Sequence, residues 1–476
     1  MKKIFFYLTL IFLFSCTYQS IDLVDDISGY PPEVKEILVK KCATAGCHNE
    51  ISKESAGGIS FETWNGMFEG GNSGAVTIPF RPDFSVTMFF VNTDSTRGLS
   101  LLPTMPYNSA PLPFSEYSIL KDWITKGAPD KNGYVKFSEY PAGQKLYIAN
   151  QVADVITVLD VKSNLAIRYI DAGISDSTEY PHMVKCSPDN KYWYVIFFAN
   201  ATLQKFNTSD NSLAGNIGIG VGSWNSISIS SDSKKAYLTE ASGKIAVVDL
   251  EAMSLDQVWT NFLSPQGTAL NKNDDTLYVT SQSGNFIYKI PINSPSAFDT
   301  VSIETGAIPN ATPSLDPNQI TFNNDFSKYY VSCQRSNEIR VLQTSNDSLL
   351  AVIHTSKFPT ELKISIAHPY LFVSCMSEPN AGISILGRIN VINVNTNVVI
   401  KSIMSGHQPH GLAVSDLSNR VYVANRNISH GGPSPHHNSP FGRNGYLTAI
   451  DMATLELIPG FKSEVSVDPY SMDLSH

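Results

Sequence analysis

From residue 140 to the C-terminus, short stretches of alternating apolar and polar residues recur, each with an aromatic residue at its centre. There are seven copies of this marker, and successive central aromatic residues are 41 to 52 residues apart. The central residues are Tyr147, Tyr194, Tyr237, Tyr278, Tyr330, Phe372 and Tyr422. Alternation over roughly four to eight residues predicts a half-buried β-strand, and recurrence at this period predicts a repeat architecture.

Further alternating segments flank the markers, as in residues 181–187 before the second marker and 244–249 after the third. Four short antiparallel strands in each copy are typical of a propeller blade, so the repeats predict an all-β seven-bladed propeller over residues 140–476. Residues 468–475 form a lone first strand, and residues 145–150 form a marker that lacks one. Pairing these two segments would close the ring and remove two exposed sheet edges.

The markers also carry a family resemblance. Stretches such as Tyr422-Val-Ala-Asn425 resemble the YVTN-type seven-bladed β-propeller family. The resemblance implies a seven-bladed propeller.

Ahead of the repeats, the sequence Cys42-Ala-Thr-Ala-Gly-Cys47-His48 brings two thiols and an imidazole together. In the usual attachment motif for c-type haem, two residues separate the cysteines and a histidine follows directly. Here four residues separate them. By spacing alone, a haem attachment site, a short disulfide loop and a chance pair of cysteines are all open.

Haem iron in electron carriers is often held by a histidine and a methionine. The first histidine of the chain is His48 and the next is His182, so the first part of the chain cannot supply a second imidazole. A sixth iron ligand would be a methionine, a water molecule or a group from the rest of the chain. Among Met67, Met88 and Met105, the last is favoured because the following proline stiffens its loop. A lone methionine is, however, more often core filler.

Two further stretches resemble the closing half of a small c-type cytochrome domain. They are residues 102–106, Leu-Pro-Thr-Met-Pro, and residues 112–129, which contain Trp-Ile and end in Gly-Ala-Pro. The resemblance spans residues 31–135 and implies a small all-α domain with one covalent haem c, over which the last helix packs. The implied roles are covalent attachment for Cys42 and Cys47, proximal iron ligand for His48 and distal iron ligand for Met105.

The first 15 residues have the charged start and apolar run of a secretory signal, which is too short to span a bilayer. Residues 13–16, Leu-Phe-Ser-Cys, resemble a bacterial lipoprotein cleavage site, which implies a lipid on Cys16 and a tether over residues 16–30. An ordinary signal peptide with an incidental cysteine is the alternative. We expect an exported protein held at a membrane by its lipid, facing the periplasm or the surface, on the outer membrane of a Gram-negative bacterium.

The net charge of −9 and the lack of basic runs give the chain no electrostatic reason to bind nucleic acid. Three cysteines are left after lipid and haem, and we expect them to be buried small hydrophobic residues. They are Cys186, Cys333 and Cys375. No Ser-His-Asp order, Walker loop or GxGxxG motif indicates an enzyme class.

The last blade has an unusual concentration of histidines. In a four-stranded antiparallel blade, the loop before the first strand and the loop between the second and third emerge on the same face. These loops in the last blade carry His407, His410, His430, His436 and His437. Long loops on a rigid scaffold often carry function. A copper or zinc site, a small-molecule site and a solvated loop that binds nothing are the three interpretations.

The sequence therefore predicts a multidomain protein: a lipoprotein signal peptide at 1–15, a tether at 16–30, a cytochrome c-like domain at 31–135 and a propeller at 140–476. The predicted function is electron transfer by the haem, with the propeller as a scaffold for a redox partner or ligand. An electron carrier is favoured over a complete oxidoreductase because the sequence shows no second redox centre. The alternatives are a metalloenzyme whose haem relays electrons to copper or zinc on the histidine face, and a non-catalytic interaction or redox-sensing protein.

Overall fold

The computed structural model describes residues 27–138, 143–304, 314–377, 386–428, 432, 434–435 and 442–475. The predicted signal peptide and Cys16 lie outside these residues, as do His430, His436 and His437. Within them, no helix has the length and apolar character needed to cross a membrane.

The N-terminal region, residues 27–138, is only partly helical. Its α-helices are Pro32–Ile37, Trp64–Met67, Val86–Val91 and Phe114–Thr125. A π-helix, Leu38–Cys42, continues the first of them, and short 3-10 helices lie at Lys53–Ser55, Pro82–Phe84 and Ser95–Arg97. The all-α domain predicted from the sequence is therefore not evident, because only the last α-helix exceeds six residues and turns join the rest. Many glycines and prolines between residues 57 and 113 favour turns over helix continuation.

The helices of this region enclose a hydrophobic core. Leu38, Trp64, Leu120 and Ile124 are buried in it. The Nε1 atom of Trp64 donates to the carbonyl oxygen of Ala128 at 2.8 Å, which ties the chain after the last helix to the second helix. The core thus fixes the first and last helices relative to each other.

The rest of the chain forms seven antiparallel sheets, which confirms the predicted seven-bladed propeller. Blade 1 contains Lys145–Asn150, Val155–Asp160, Leu165–Asp171 and Pro469–Leu474; blade 2 contains Pro181–Cys186, Tyr192–Phe197, Thr202–Asn207 and Leu213–Gly218. Blade 3 contains Trp224–Ile229, Lys235–Glu240, Lys244–Asp249 and Ser254–Trp259; blade 4 contains Pro265–Leu270, Thr276–Ser281, Phe286–Pro291 and Asp299–Ser302. Blade 5 contains Pro317–Phe322, Lys328–Cys333, Glu338–Gln343 and Leu349–His354; blade 6 contains Pro359–Ile364, Tyr370–Cys375, Leu386–Asn393 and Val398–His407. Blade 7 contains Pro409–Ser415, Arg420–Asn425, Asn444–Asp451 and Glu456–Leu457, and an extra strand, Ser463–Val467, also pairs with its third strand.

Neighbouring blades are held together by hydrophobic clusters that combine residues of both. Between blades 1 and 2, the buried ring of Tyr147 stacks on Trp193 with 5.0 Å between centroids, and Trp193 stacks on Phe206 at 4.1 Å. Each marker aromatic is buried. Cys186, Cys333 and Cys375 are buried, as predicted, and none of them forms a disulfide with another described cysteine.

The ring closes where the C-terminal strand joins blade 1. Pro469–Leu474 pairs antiparallel with Lys145–Asn150, with Met472 opposite Ile148. The Asp473 carboxylate reaches into blade 2, where it accepts from the backbone N–H of Cys186 at 2.9 Å and pairs with Lys185 at 3.1 Å. Sheet pairing and charge pairing therefore both hold the last strand in place.

The N-terminal region packs against blade 1 through residues 75–87, called here the docking loop. The ring of Phe84 stacks on that of Tyr169, with centroids 4.4 Å apart and planes 14° apart. Arg81 donates to the carbonyl oxygen of Tyr169 at 3.0 Å and pairs with Asp171 at 2.8 Å. Ile78 and Phe84 share a buried cluster with residues of the propeller.

Candidate functional site

A cavity of about 600 Å³ lies in the N-terminal region, and all four residues predicted to hold a haem line it. They are Cys42, Cys47, His48 and Met105. This volume is within the range of about 300–1,000 Å³ that is common for small-molecule and cofactor sites. The sequence separates Met105 from the other three by more than fifty residues, so the fold brings them together.

The loop from Cys42 to His48 is a tight turn that follows the first helix. Backbone N–H groups of Cys47 and His48 donate to the carbonyl oxygens of Thr44, at 3.0 Å, and Cys42, at 3.1 Å. Gly46 takes a positive φ of 80°, a conformation that glycine adopts without steric cost. The two extra residues between the cysteines are therefore accommodated in a hydrogen-bonded turn.

Cys42 is buried, and burial raises the pKa of its thiol to about 12, with a further contribution from the nearby Cys47. No disulfide joins the two cysteines. Both thiols thus face the cavity region as free groups.

His48 presents a neutral imidazole. Burial lowers its pKa, and the carbonyl groups of Ala56 and Ile59 offset this effect only in part. Its Nδ1 atom is buried and makes no hydrogen bond of good geometry with the described residues. The ring packs edge-on against Phe61, with 5.4 Å between centroids. Neutral imidazole is the form that ligates metals, so the ring is in the state an iron ligand requires.

Met105 is held across the cavity by hydrogen bonds to the helix Val86–Val91. Its backbone N–H donates to the carbonyl oxygen of Phe90 at 2.8 Å, and that of Leu101 donates to Phe89 at 3.0 Å. Prolines precede and follow the methionine within three residues, which restricts the loop further. The thioether is therefore carried by a loop fixed at both ends.

The remaining lining is largely apolar. It includes Ile59, Phe61, Val76, Val86, Phe90, Val91, Leu102 and Pro103. Lys41 is the one charged lining residue, and it pairs with Glu116 at 2.6 Å. Two thiols, one neutral imidazole and one thioether around an apolar cavity match the donor set of a covalently attached haem.

The helix Phe114–Thr125 contributes to the hydrophobic core that also contains Cys42 and against which Met105 packs. Trp123 and Ile124 belong to the hydrophobic core and do not line the cavity. The Nε1 atom of Trp123 donates to the carbonyl oxygen of Pro129 at 2.9 Å. The Trp-Ile pair therefore belongs to the core of the N-terminal region and not to the cavity lining.

The docking loop joins the cavity to the propeller. Val76, Val86 and Thr87 line the cavity, while Ile78 and Phe84 of the same loop contact blade 1. The backbone N–H of Thr87 donates to the carbonyl oxygen of Val76 at 3.0 Å, which makes the loop one hydrogen-bonded unit. No sequence motif marked this loop.

On the propeller, the histidines do not form a metal site among the described residues. His410 donates from Nδ1 to the carbonyl oxygen of Tyr470 at 2.8 Å and stacks on its ring at 3.8 Å. His182 lies 4.5 Å from the Tyr470 ring. Both imidazoles therefore pack against the ring of the same tyrosine.

His407 is held elsewhere, by the Tyr446 hydroxyl, which lies 3.4 Å from its Nδ1 atom. Burial lowers the pKa of His407 and of His410. The other three predicted histidines, His430, His436 and His437, lie outside the described residues.

No protein-family model matches the chain, and no curated protein matches it. Among solved structures, a functionally unknown protein from Desulfotomaculum acetoxidans is similar at 13% identity and a TM-score of 0.51, covering 68% of this chain and 99% of its own. Kuenenia stuttgartiensis hydrazine synthase gives 13% identity and a TM-score of 0.48, covering 63% of this chain and 92% of its own. At this identity, the first similarity supports the propeller fold alone.

Proposed function

We propose that the N-terminal region is a mono-haem c-type cytochrome domain and that the protein transfers electrons. The observation that carries the proposal is the convergence of Cys42, Cys47, His48 and Met105 on one apolar cavity. When bound, a haem with these ligands would cycle between two iron oxidation states, one electron at a time. Cys42 and Cys47 would hold it covalently, and His48 and Met105 would be its axial ligands.

The protein's own groups tune this site. The apolar lining keeps water and charge away from the cavity, and the Lys41–Glu116 pair leaves no net charge at its edge. Burial keeps His48 neutral and available as a ligand. A thioether from Met105 would favour the reduced iron and thereby raise the potential.

The propeller would serve as a scaffold for a redox partner or ligand, with no nucleic-acid partner. We also propose that the protein is exported and anchored by a lipid on Cys16, at the outer membrane facing the periplasm or surface. Export supports the haem assignment, because covalent haem is attached outside the bacterial inner membrane.

The test is to express the full chain with a haem-attachment system and to record oxidised and reduced absorption spectra after denaturation. We expect the haem of the parent protein to stay with the denatured polypeptide. In the Cys42→Ala, Cys47→Ala double variant, we expect extraction to remove it. Cys186→Ala is the matched control, since Cys186 is buried in the propeller. Retained colour in the double variant, or none in the parent, would refute the proposal.

The axial ligand has its own test. We expect Met105→Leu to remove the weak absorption band at the red end of the visible spectrum that a methionine–iron bond gives to oxidised haem. Met67→Leu should keep the band, because Met67 is buried in the core and does not line the cavity. Identical spectra for the two variants would contradict the role given to Met105.

A further inference from the structure

No charged residue occurs between Arg97 and Glu116, a stretch called here the uncharged loop. It is the longest uncharged stretch of the N-terminal region; residues 70–80 and 84–93 are the next longest. The uncharged loop carries Met105, so the interruption falls at the candidate haem cavity.

The uncharged loop forms an open groove, and the residues directly before and after Met105 line it. The groove is lined entirely by this loop, through Leu102, Pro103, Thr104, Pro106, Tyr107, Asn108, Ser109 and Pro111. Leu102 is 85% exposed and Tyr107 is 62% exposed. Five of the lining residues also line the cavity, so the groove and the cavity are continuous.

The charged residues that bound the uncharged loop in the sequence, Arg97 and Glu116, are each paired with an opposite charge. Lys41 pairs with Glu116 at 2.6 Å, and Arg97 pairs with Asp94 at 3.1 Å. Arg97 also lies over the ring of Phe114, 4.1 Å from its centroid. A protein that approaches the groove would therefore meet apolar and uncharged polar side chains.

We propose that the groove is the docking surface for a small redox metalloprotein whose metal centre lies beneath an uncharged, apolar face. This inference rests on the proposed function, since the groove matters through its continuity with the haem cavity. A charged partner surface would lose hydration here without gaining a counter-charge, which is costly. An uncharged face would instead gain from covering Leu102 and Tyr107.

The experiment uses the haem-loaded full chain and two probes. One is a blue-copper protein with an uncharged face over its copper, and the other is a cytochrome whose haem edge is surrounded by lysines. In stopped-flow measurements the reduced chain loses one electron and the oxidised probe gains it. For the copper protein, we expect the second-order rate constant to change by less than about twofold between about 20 and 500 mM salt. The lysine-rich probe should be slower, with a steeper salt dependence.

Substitution of Asn108 separates apolar docking from electrostatic docking. Asn108 lines the groove but not the cavity. Asn108→Asp and Asn108→Lys should both slow the reaction with the copper protein, by about tenfold or more, because either charge would be buried unpaired. Asn346→Asp and Asn346→Lys are the controls. Asn346 is exposed on blade 5, and these substitutions change the net charge by the same amounts as those at Asn108. Opposite effects of the two charges at residue 108 would overturn the proposal.

A second readout needs no electron transfer. With both proteins reduced, NMR shifts of the isotope-labelled copper protein should change around its copper, and the Asn108 variants should abolish the change. Shift changes that persist in these variants would overturn the docking surface. A chain without covalent haem would instead refute the proposed function, and its absorption spectrum shows this before any probe is added.

Discussion

The contact between Phe84 and Tyr169 should couple the stability of the N-terminal region to that of blade 1. Phe84 is 7% exposed and Tyr169 is 9% exposed, and their rings stack at 4.4 Å. Stacked aromatic pairs contribute about 0.5–1.5 kcal/mol beyond the burial of their area. Phe84→Leu and Tyr169→Leu keep apolar volume at each position but remove the stack. The double variant should therefore lose less free energy of unfolding than the sum of the two single variants, by about 0.5–1.5 kcal/mol.

The assay is urea denaturation of the haem-loaded chain, followed by haem absorbance for the N-terminal region and by far-UV circular dichroism for the sheets. Phe84→Leu should lower the midpoint in both signals, because the docking loop is one wall of the cavity and also contacts the propeller. Phe114→Leu combined with Tyr169→Leu is the control pair, since Phe114 is 59% exposed and packs under Arg97. Additivity for Phe84 and Tyr169 within about 0.3 kcal/mol would refute the coupling.

Three further outcomes follow from the structure. Removal of Pro469–Leu474 should abolish soluble expression, because it reopens both edges of the ring; a soluble truncated propeller would contradict the closure. Burial alone would raise the pKa of Asp473, but the positive charges of Lys185 and Lys363 lower it overall. The ionised carboxylate therefore adds to the free energy of unfolding above the unfolded pKa of about 3.9, and this stabilisation is lost as pH falls through the lower folded pKa. Acid unfolding of Asp473→Asn should therefore begin at higher pH than in the parent, and an unchanged acid transition would exclude this role. Cys42→Ala should keep haem through one covalent bond, with a shifted reduced absorption band, and an unshifted band would show that Cys42 carries no haem.

The propeller was predictable because its blades repeat a simple local rule. Alternating side chains around a central aromatic, as in Tyr147 or Tyr422, indicate a strand buried between neighbouring sheets, and the structure has a strand at every marker. Ring closure was also predictable, since residues 468–475 had no partner of their own. The extra strand, Ser463–Val467, had no counterpart in the other copies, so the repeat gave no sign of it.

The N-terminal region was harder to predict from its sequence. Motifs identified the four cavity residues, because chemistry restricts which side chains can hold a haem. The stack of Phe84 on Tyr169 joins residues far apart in the chain, and neither has a distinctive neighbourhood in the sequence.

Of the five histidines predicted to share one face of the last blade, the structure describes His407 and His410, so the metal-site interpretation stays untested for the other three. His410 lies on the predicted face, but its imidazole is hydrogen-bonded to the carbonyl oxygen of Tyr470 and stacks on the Tyr470 ring. Such contacts depend on the neighbouring blade, which the local sequence does not encode.

The central claim is tested most directly by the absorption spectrum of the purified full chain after denaturation and extraction with acidified organic solvent. The account predicts a c-type haem spectrum that stays with the polypeptide, at one haem per chain. A colourless polypeptide from a host that attaches haem to a control cytochrome would contradict it and would leave Cys42 and Cys47 as a thiol pair.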